Sequence, residues 1–376
     1  MLKKILFAIS LITFSASTPA AEPSLRDKIG QMIILGFHGK VLDEHSSIAD
    51  AIEQDNIGGV ILFDYNQQSQ TFDKNIESPE QVKKLNQQLQ SWTQKANRLH
   101  HRANLPLLIS VDYEGGQVNR LHPNYGFPVI PAPKMVGKMS LTDAQNVANL
   151  MTDALKSSGF NLDFFPSLDV DVNPDNPIIG RKERSFSSIP EQVGLYAQVF
   201  SNQFLAHNIQ CSYKHFPGHG SSQDDSHLGF VDVTDTWSEQ ELIPFLQLLS
   251  QPQHCGMVMV AHIVNRKLDP TGVPASLSYT MISGLLRHDL KFDGVVITDD
   301  MQMKAIANYY GVDTAVTLAI NAGVDMLIFG NQLVDKFQGS KELIDLIEQK
   351  VRSGEIPEQR IDEAYRHIVK MKQGIN

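Results

Sequence analysis

Between Lys214 and His227 the chain holds three histidines (His215, His219, His227), two aspartates (Asp224, Asp225) and the turn formers Pro217, Gly218 and Gly220. Imidazoles titrate near neutral pH and a neighbouring carboxylate fixes their tautomer, so the stretch has the parts to move a proton, clamp a ligand or bind a metal. Proline and glycine set an irregular backbone path, which makes it a structured loop and not a disordered polar tract. Asp225 stands two residues before His227, suited to a carboxylate–imidazole pair, and Lys214 and His215 end a strand-like run with donors to offer beyond it. A second candidate is Thr298-Asp299-Asp300, which emerges from the apolar Gly294-Val295-Val296-Ile297. Neighbouring strand residues point to opposite faces, so one carboxylate can face a pocket while the other caps the next helix. Both faces of this run are apolar, and alternation does not choose between them.

A metal alternative would use His215, His219, His227, His262 and Asp299 as ligands. A zinc hydrolase built on a barrel would offer a His-x-His pair at an early strand end, and the sequence has none. No metal or other cofactor is expected.

These groups need a frame that gathers them. Strand-like apolar runs recur at 33–36, 58–63, 106–111, 161–167, 210–214, 256–261, 294–298 and 324–329, separated by segments with a polar face. Ser78 with Gln81, Thr142 with Gln145, Ser188 with Glu191 and Thr236 with Glu239 match the capping-box pattern that starts helices. Two further helices, 341–353 and 357–373, close the chain. Buried strands alternating with helices are parallel βαβ units. Their count favours a closed (β/α)₈ TIM-type barrel, α/β in class, over an open sheet. In such a barrel all the strand C-termini share one face, where active sites are built. Asp112-Tyr113-Glu114-Gly115-Gly116, the stretch 169–184, the histidine loop, His262 and Asp299 would therefore converge.

At 376 residues, one such barrel accounts for the chain. The net charge of −10 excludes nucleic acid and anionic membranes as partners. Residues 1–21 read as a cleaved secretory leader: Lys3 and Lys4, an apolar stretch 5–14, then small residues to Ala21. The domain is then 22–376, periplasmic or secreted, with no membrane span and taken as a monomer. Cys211 and Cys255 are the only cysteines; one bridge is open to them in an oxidising compartment, and the favoured reading is two small buried hydrophobes.

Lys214-His-Phe-Pro-Gly-His-Gly220, Asp225-Ser-His227, Thr298-Asp-Asp-Met-Gln-Met303, Asp112-Tyr-Glu-Gly-Gly-Gln-Val-Asn-Arg120, the Asn161–Asp171 stretch and Ala322-Gly-Val-Asp325 together resemble the single-domain β-N-acetylhexosaminidases of glycoside hydrolase family 3, in the family's order from about residue 25 onward. The resemblance implies a (β/α)₈ barrel that releases N-acetylglucosamine from the non-reducing end with retention of configuration. It implies Asp299 as nucleophile, His227 as acid/base with Asp225 as its partner, and Asp112, Arg120, Arg184, Lys214 and His215 as the sugar-binding set. The family spaces Ile-Gly from Arg-Ser-Phe by one residue; here Arg181-Lys182-Glu183 intervene before Arg184, which makes Arg181 the alternative to Arg184. Chitin oligosaccharides or peptidoglycan fragments are the implied substrates. A phosphorylase, a β-glucosidase and a sugar-binding barrel without turnover are the competing readings.

Overall fold

The computed structural model describes residues 22–333 and 337–375; the expected leader, 1–21, lies outside the described residues. Eight strands form where the apolar runs lie: β1 Ile33–Gly36, β2 Gly59–Ile61, β3 Leu108–Val111, β4 Leu162–Asp163, β5 Gln210–Phe216, β6 Met257–Val260, β7 Val295–Asp300 and β8 Met326–Phe329. They close in order, each parallel to the next, with β8 returning to pair with β1 at Ile33↔Leu327. Closure explains why the strands read as unbroken apolar runs: one face lines the barrel interior and the other meets the helices. Val295, Val296 and Ile297 are all fully buried. Beyond β3 a short antiparallel ribbon pairs Tyr113–Gly115 with Val118–Asn119. Among the described residues no helix is long and apolar enough to cross a membrane.

Helix starts follow the expected caps only in part. Ser78 accepts from the Gln81 amide at 3.1 Å. The Thr142 start moves to Ser140, which accepts from the Asp143 amide at 3.1 Å. The Ser188 start moves to Pro190, whose fixed φ and missing donor suit a first turn, and Thr236 gives way to Ser238, which opens the short 3₁₀ turn Glu239–Leu242.

Cys211 and Cys255 form a disulfide, with Cα atoms 4.9 Å apart, which corrects the reading of two separate buried hydrophobes. The two lie on neighbouring strands, one in β5 and one just before β6, where Ser212 is in register with Met257. Lying 44 residues apart in sequence, they are brought together by the parallel pairing of two consecutive strands. A bridge spanning 44 residues stabilises a fold by about 4 kcal/mol.

The face opposite the strand C-termini is closed by the last helix, Glu358–Lys372. Buried Asp325 gathers Arg287, Arg360, His367 and the Val296 amide. This gives the Ala322–Asp325 motif a structural role. Lys372 is also buried, and its ammonium donates to Gln31 Oε1 and Gly58 O, both at 2.7 Å, with no carboxylate as partner among the described residues. Burial pushes its pKa down to about 7. A lysine whose folded pKa lies below its ordinary value costs stability in full below about 7, and the cost fades as pH rises toward 10.5. Lys372→Met should therefore raise stability to urea, and the gain at about pH 6 should exceed that at about pH 9 by about 2 kcal/mol. A gain that does not vary with pH would contradict a charge buried at a cost.

Candidate active site

Every nominated side chain lies around one cavity of about 610 Å³ at the C-terminal mouth of the barrel: Asp112, Arg120, Arg184, Lys214, His215, Asp225, His227 and Asp299. Arg181 lies outside it, 66% exposed, paired with Asp175. The two extra residues are absorbed by a coil in which the Arg181 amide donates to Asn176 O, the Glu183 amide to Gly180 O and the Arg184 amide to Ile179 O. That coil returns Arg184 to the wall.

The wall is held by ions. Glu114, from the ribbon after β3, accepts both prongs of Arg184 at 2.7 and 2.8 Å and the Lys214 ammonium at 2.6 Å; Lys214 also donates to Asp112 at 2.8 Å. Burial alone would raise the Glu114 carboxyl, but the two cations outweigh it and hold it at about 2. A guanidinium can only donate, so His215 Nε2, 3.2 Å from Arg184, is an acceptor. The His215 proton lies on Nδ1, toward Asp169 Oδ2 at 2.6 Å. Glu114 and Asp169 stand within the sequence motifs without a role assigned to them there. Their signal was the same as for the nominated residues: a carboxylate just past a strand end. Lys182, in the inserted coil, also lines the cavity and was not anticipated.

After these bonds the walls still hold unspent donors. Lys214 uses two of its three N–H groups, and Arg120 Nε is buried without a partner among the described residues, its guanidinium 5.8 Å over the Phe63 ring. Such a pocket can accept the oxygens of a neutral polar ligand.

At the end of β7 the two aspartates differ. Asp300 Oδ1 accepts from the Gln302 and Gly330 amides at 3.0 and 3.3 Å, so it caps the chain that follows the strand, and burial pushes its carboxyl up to about 6. For Asp299 burial also acts upward, but the imidazoles of His215, His262 and His227 and the Asp300 amide outweigh it and hold the carboxyl at about 2. Pairing with β8 shifts between Ile297 and Asp300, a bulge that breaks the alternation and lets both side chains reach the cavity lining. Asp299 is therefore ionised across the ordinary pH range.

His227 Nδ1 lies 2.7 Å from Asp225 Oδ1, which also accepts the His227 amide at 2.9 Å. The imidazole is 43% exposed and its Nε2 is left for the cavity. The loop beneath it is tied down. His219 Nδ1 and Nε2 meet Ser222 and Ser226 at 2.7 and 3.3 Å, and Asn176 donates to His219 O and Gly220 O. The turn 216–220 is buried throughout.

A half-buried carboxylate, a carboxylate-backed imidazole and a donor-lined pocket thus share the strand C-terminal mouth of a closed parallel barrel, the face on which barrel active sites are built. The chain belongs to glycosyl hydrolase family 3: the family's N-terminal domain matches residues 24–371. It is 30% identical over 357 residues to beta-hexosaminidase A of Pseudoalteromonas piscicida, spanning 85% of this chain and 56% of that relative. To beta-hexosaminidase LpqI of Mycobacterium tuberculosis it is 30% identical, over 95% of this chain and 86% of the relative. A family 3 beta-N-acetylglucosaminidase structure from a Paenibacillus superposes with a TM-score of 0.83 at 33% identity, covering 94% of this chain and 63% of that one.

The Glu114 cluster yields a prediction. Its folded pKa lies below the ordinary 4.5, so its stabilisation is present above that value and is lost as pH falls toward about 2. Glu114→Gln, which leaves Arg184 and Lys214 short of a buried partner, should lower urea stability at neutral pH by about 3 kcal/mol, and the deficit should shrink below about pH 4. A deficit unchanged across that range would show that the charge is not what matters.

Proposed function

We propose that the chain is a retaining exo-β-N-acetylglucosaminidase that hydrolyses terminal N-acetylglucosamine from chitin oligosaccharides or peptidoglycan fragments. The observation that carries this reading is the convergence of Asp299, held ionised, with the Asp225–His227 pair on one cavity. The names of the curated relatives support the hexosaminide as substrate.

In this mechanism the sugar is held by Asp112, Arg120, Arg184, Lys214 and His215. Asp299 attacks the anomeric carbon while protonated His227 donates from Nε2 to the leaving oxygen, giving a glycosyl-Asp299 ester and a free alcohol. His227, now neutral, takes a proton from water. The water oxygen attacks the anomeric carbon, and Asp299 leaves as carboxylate. Two displacements restore the starting configuration. Asp225 accepts a hydrogen bond from Nδ1–H throughout, so it orients the ring and steadies its cationic form. The Cys211–Cys255 bridge supports work in an oxidising, extracytoplasmic compartment.

Release of p-nitrophenol from its β-N-acetylglucosaminide should be readily measured, and Asp299→Ala should lower kcat by at least about a thousandfold. A slow fluorinated substrate should label Asp299; a label on another residue would refute the nucleophile assignment. The released sugar should be free N-acetylglucosamine even with phosphate present, whereas a sugar phosphate would establish the phosphorylase reading. No release by the intact protein would leave only a sugar-binding barrel.

A further inference from the structure

Beneath the turn that begins the His227 loop lies a carboxylate the mechanism above does not use. Glu241, fully buried in the turn Glu239–Leu242, accepts at Oε2 from the backbone N–H of Gly220 at 2.9 Å and of Ser221 at 3.3 Å. Its other oxygen has no partner among the described residues. Burial, to which Asp169 adds, pushes its pKa up to about 7 against the pull of the Ser221 hydroxyl and of these amides. The turn is pressed tightly on both sides. Gly218, at a φ of 118°, would bring a Cβ within 2.6 Å of the Glu241 Cβ. A Cβ on Gly220 would stand 1.7 Å from Val170 O. Glycine is required by contact at both positions and by backbone angle at Gly218. From Ser221 the chain runs directly to Asp225 and His227.

We propose that Glu241 is a positioning residue for proton transfer: by holding the Gly220 and Ser221 amides from below, it fixes the point from which the Asp225-Ser226-His227 segment projects toward Asp299. This rests on the reading of His227 as the acid. Glu241 does not line the cavity, so its removal must act through the loop. The need for an acid grows as the leaving group becomes more basic. A dinitrophenolate departs without a proton, and a sugar alkoxide does not.

The test compares kcat/KM, which reports the first displacement, for the dinitrophenyl β-N-acetylglucosaminide and for the disaccharide of two N-acetylglucosamines. Glu241→Leu keeps the volume and removes the acceptor. It should lose about tenfold or more on the disaccharide and no more than about threefold on the dinitrophenyl substrate, a fraction of the 10²–10⁴ that a full acid contributes. Glu241→Gln, whose carbonyl can accept from the same two amides, should regain most of the loss. Glu241→Asp withdraws the acceptor by one methylene and keeps the charge; it should show the same contrast in weaker form, and it carries the test where the leucine variant does not fold. Equal losses on both substrates in a folded variant, or none on the disaccharide, overturn the proposal. His227→Ala, measured alongside, separates the two readings. Without a leaving-group contrast in His227→Ala the acid assignment falls; with a contrast there and none at Glu241, only the positioning role falls.

Discussion

The geometry of the mouth depends on the satisfaction of one buried anion. The Asp169 carboxylate has no exposure and accepts from Ser167 Oγ at 2.9 Å, His215 N at 3.3 Å, His215 Nδ1 at 2.6 Å and His219 N at 2.8 Å. Burial by itself would drive such a group neutral. The His215 imidazole and the donors around it reverse this and hold the carboxyl well below the usual range. Three of the four donors belong to the end of β5 and its turn, so satisfying Asp169 prescribes the backbone path on which Lys214, His215 and His219 stand. From there the bonds continue around the wall: His215 Nε2 to Arg184, Arg184 to Glu114, Glu114 to Lys214. Residues from three strand ends form one connected set, and removing any of them leaves a buried charge without its partner, which is far costlier than never having had the pair.

The same balance separates the two carboxylates of β7. Asp299 and Asp300 are adjacent and both removed from bulk water, yet one is held at about 2 and the other raised to about 6. The difference lies in what faces them. Imidazoles surround Asp299, while Asp300 has two backbone amides and the repulsion of its neighbour. His262 completes the arrangement: Asp300 O can only accept, so His262 Nε2, 3.0 Å away, carries the proton, and Ser276 serves Nδ1 at 2.6 Å. A barrel lets such opposite environments sit one residue apart because a strand end meets solvent, neighbouring loops and the core within a single step.

How much of this was legible in the sequence follows from the range of the forces involved. Strand positions were readable because burial on both faces demands continuous apolar runs, and every expected run contains a strand. The residues nominated around the cavity were readable because strand ends of a parallel barrel share a face. Helix starts were less so: a capping serine competes with other hydroxyls nearby, as Ser140 displaced Thr142, and proline overrides both, as at Pro190. Contacts between segments distant in sequence left no local signal. The Cys211–Cys255 bridge and the buried Lys372 each join segments whose sequences are unremarkable on their own.

Rigidity is distributed in the loop according to what each group must do. A nucleophile has to meet a carbon at bonding distance, and Asp299 is correspondingly part of a strand. An acid must let the sugar enter and leave, and His227 sits on a partly exposed stretch. The boundary between the two regimes is sharp: residues 216–222 are buried without exception, while 223 and 224 are exposed, and a side chain at Gly229 would meet nothing within 4 Å. The turn is thus the foundation, and any freedom His227 has begins after Ser222. The far end of the loop is fixed as well, since the Val233 amide donates to Val264 O and the Val264 amide to Val231 O. A loop anchored at both ends can lend its middle to substrate exchange without losing the register that returns His227 to the cavity.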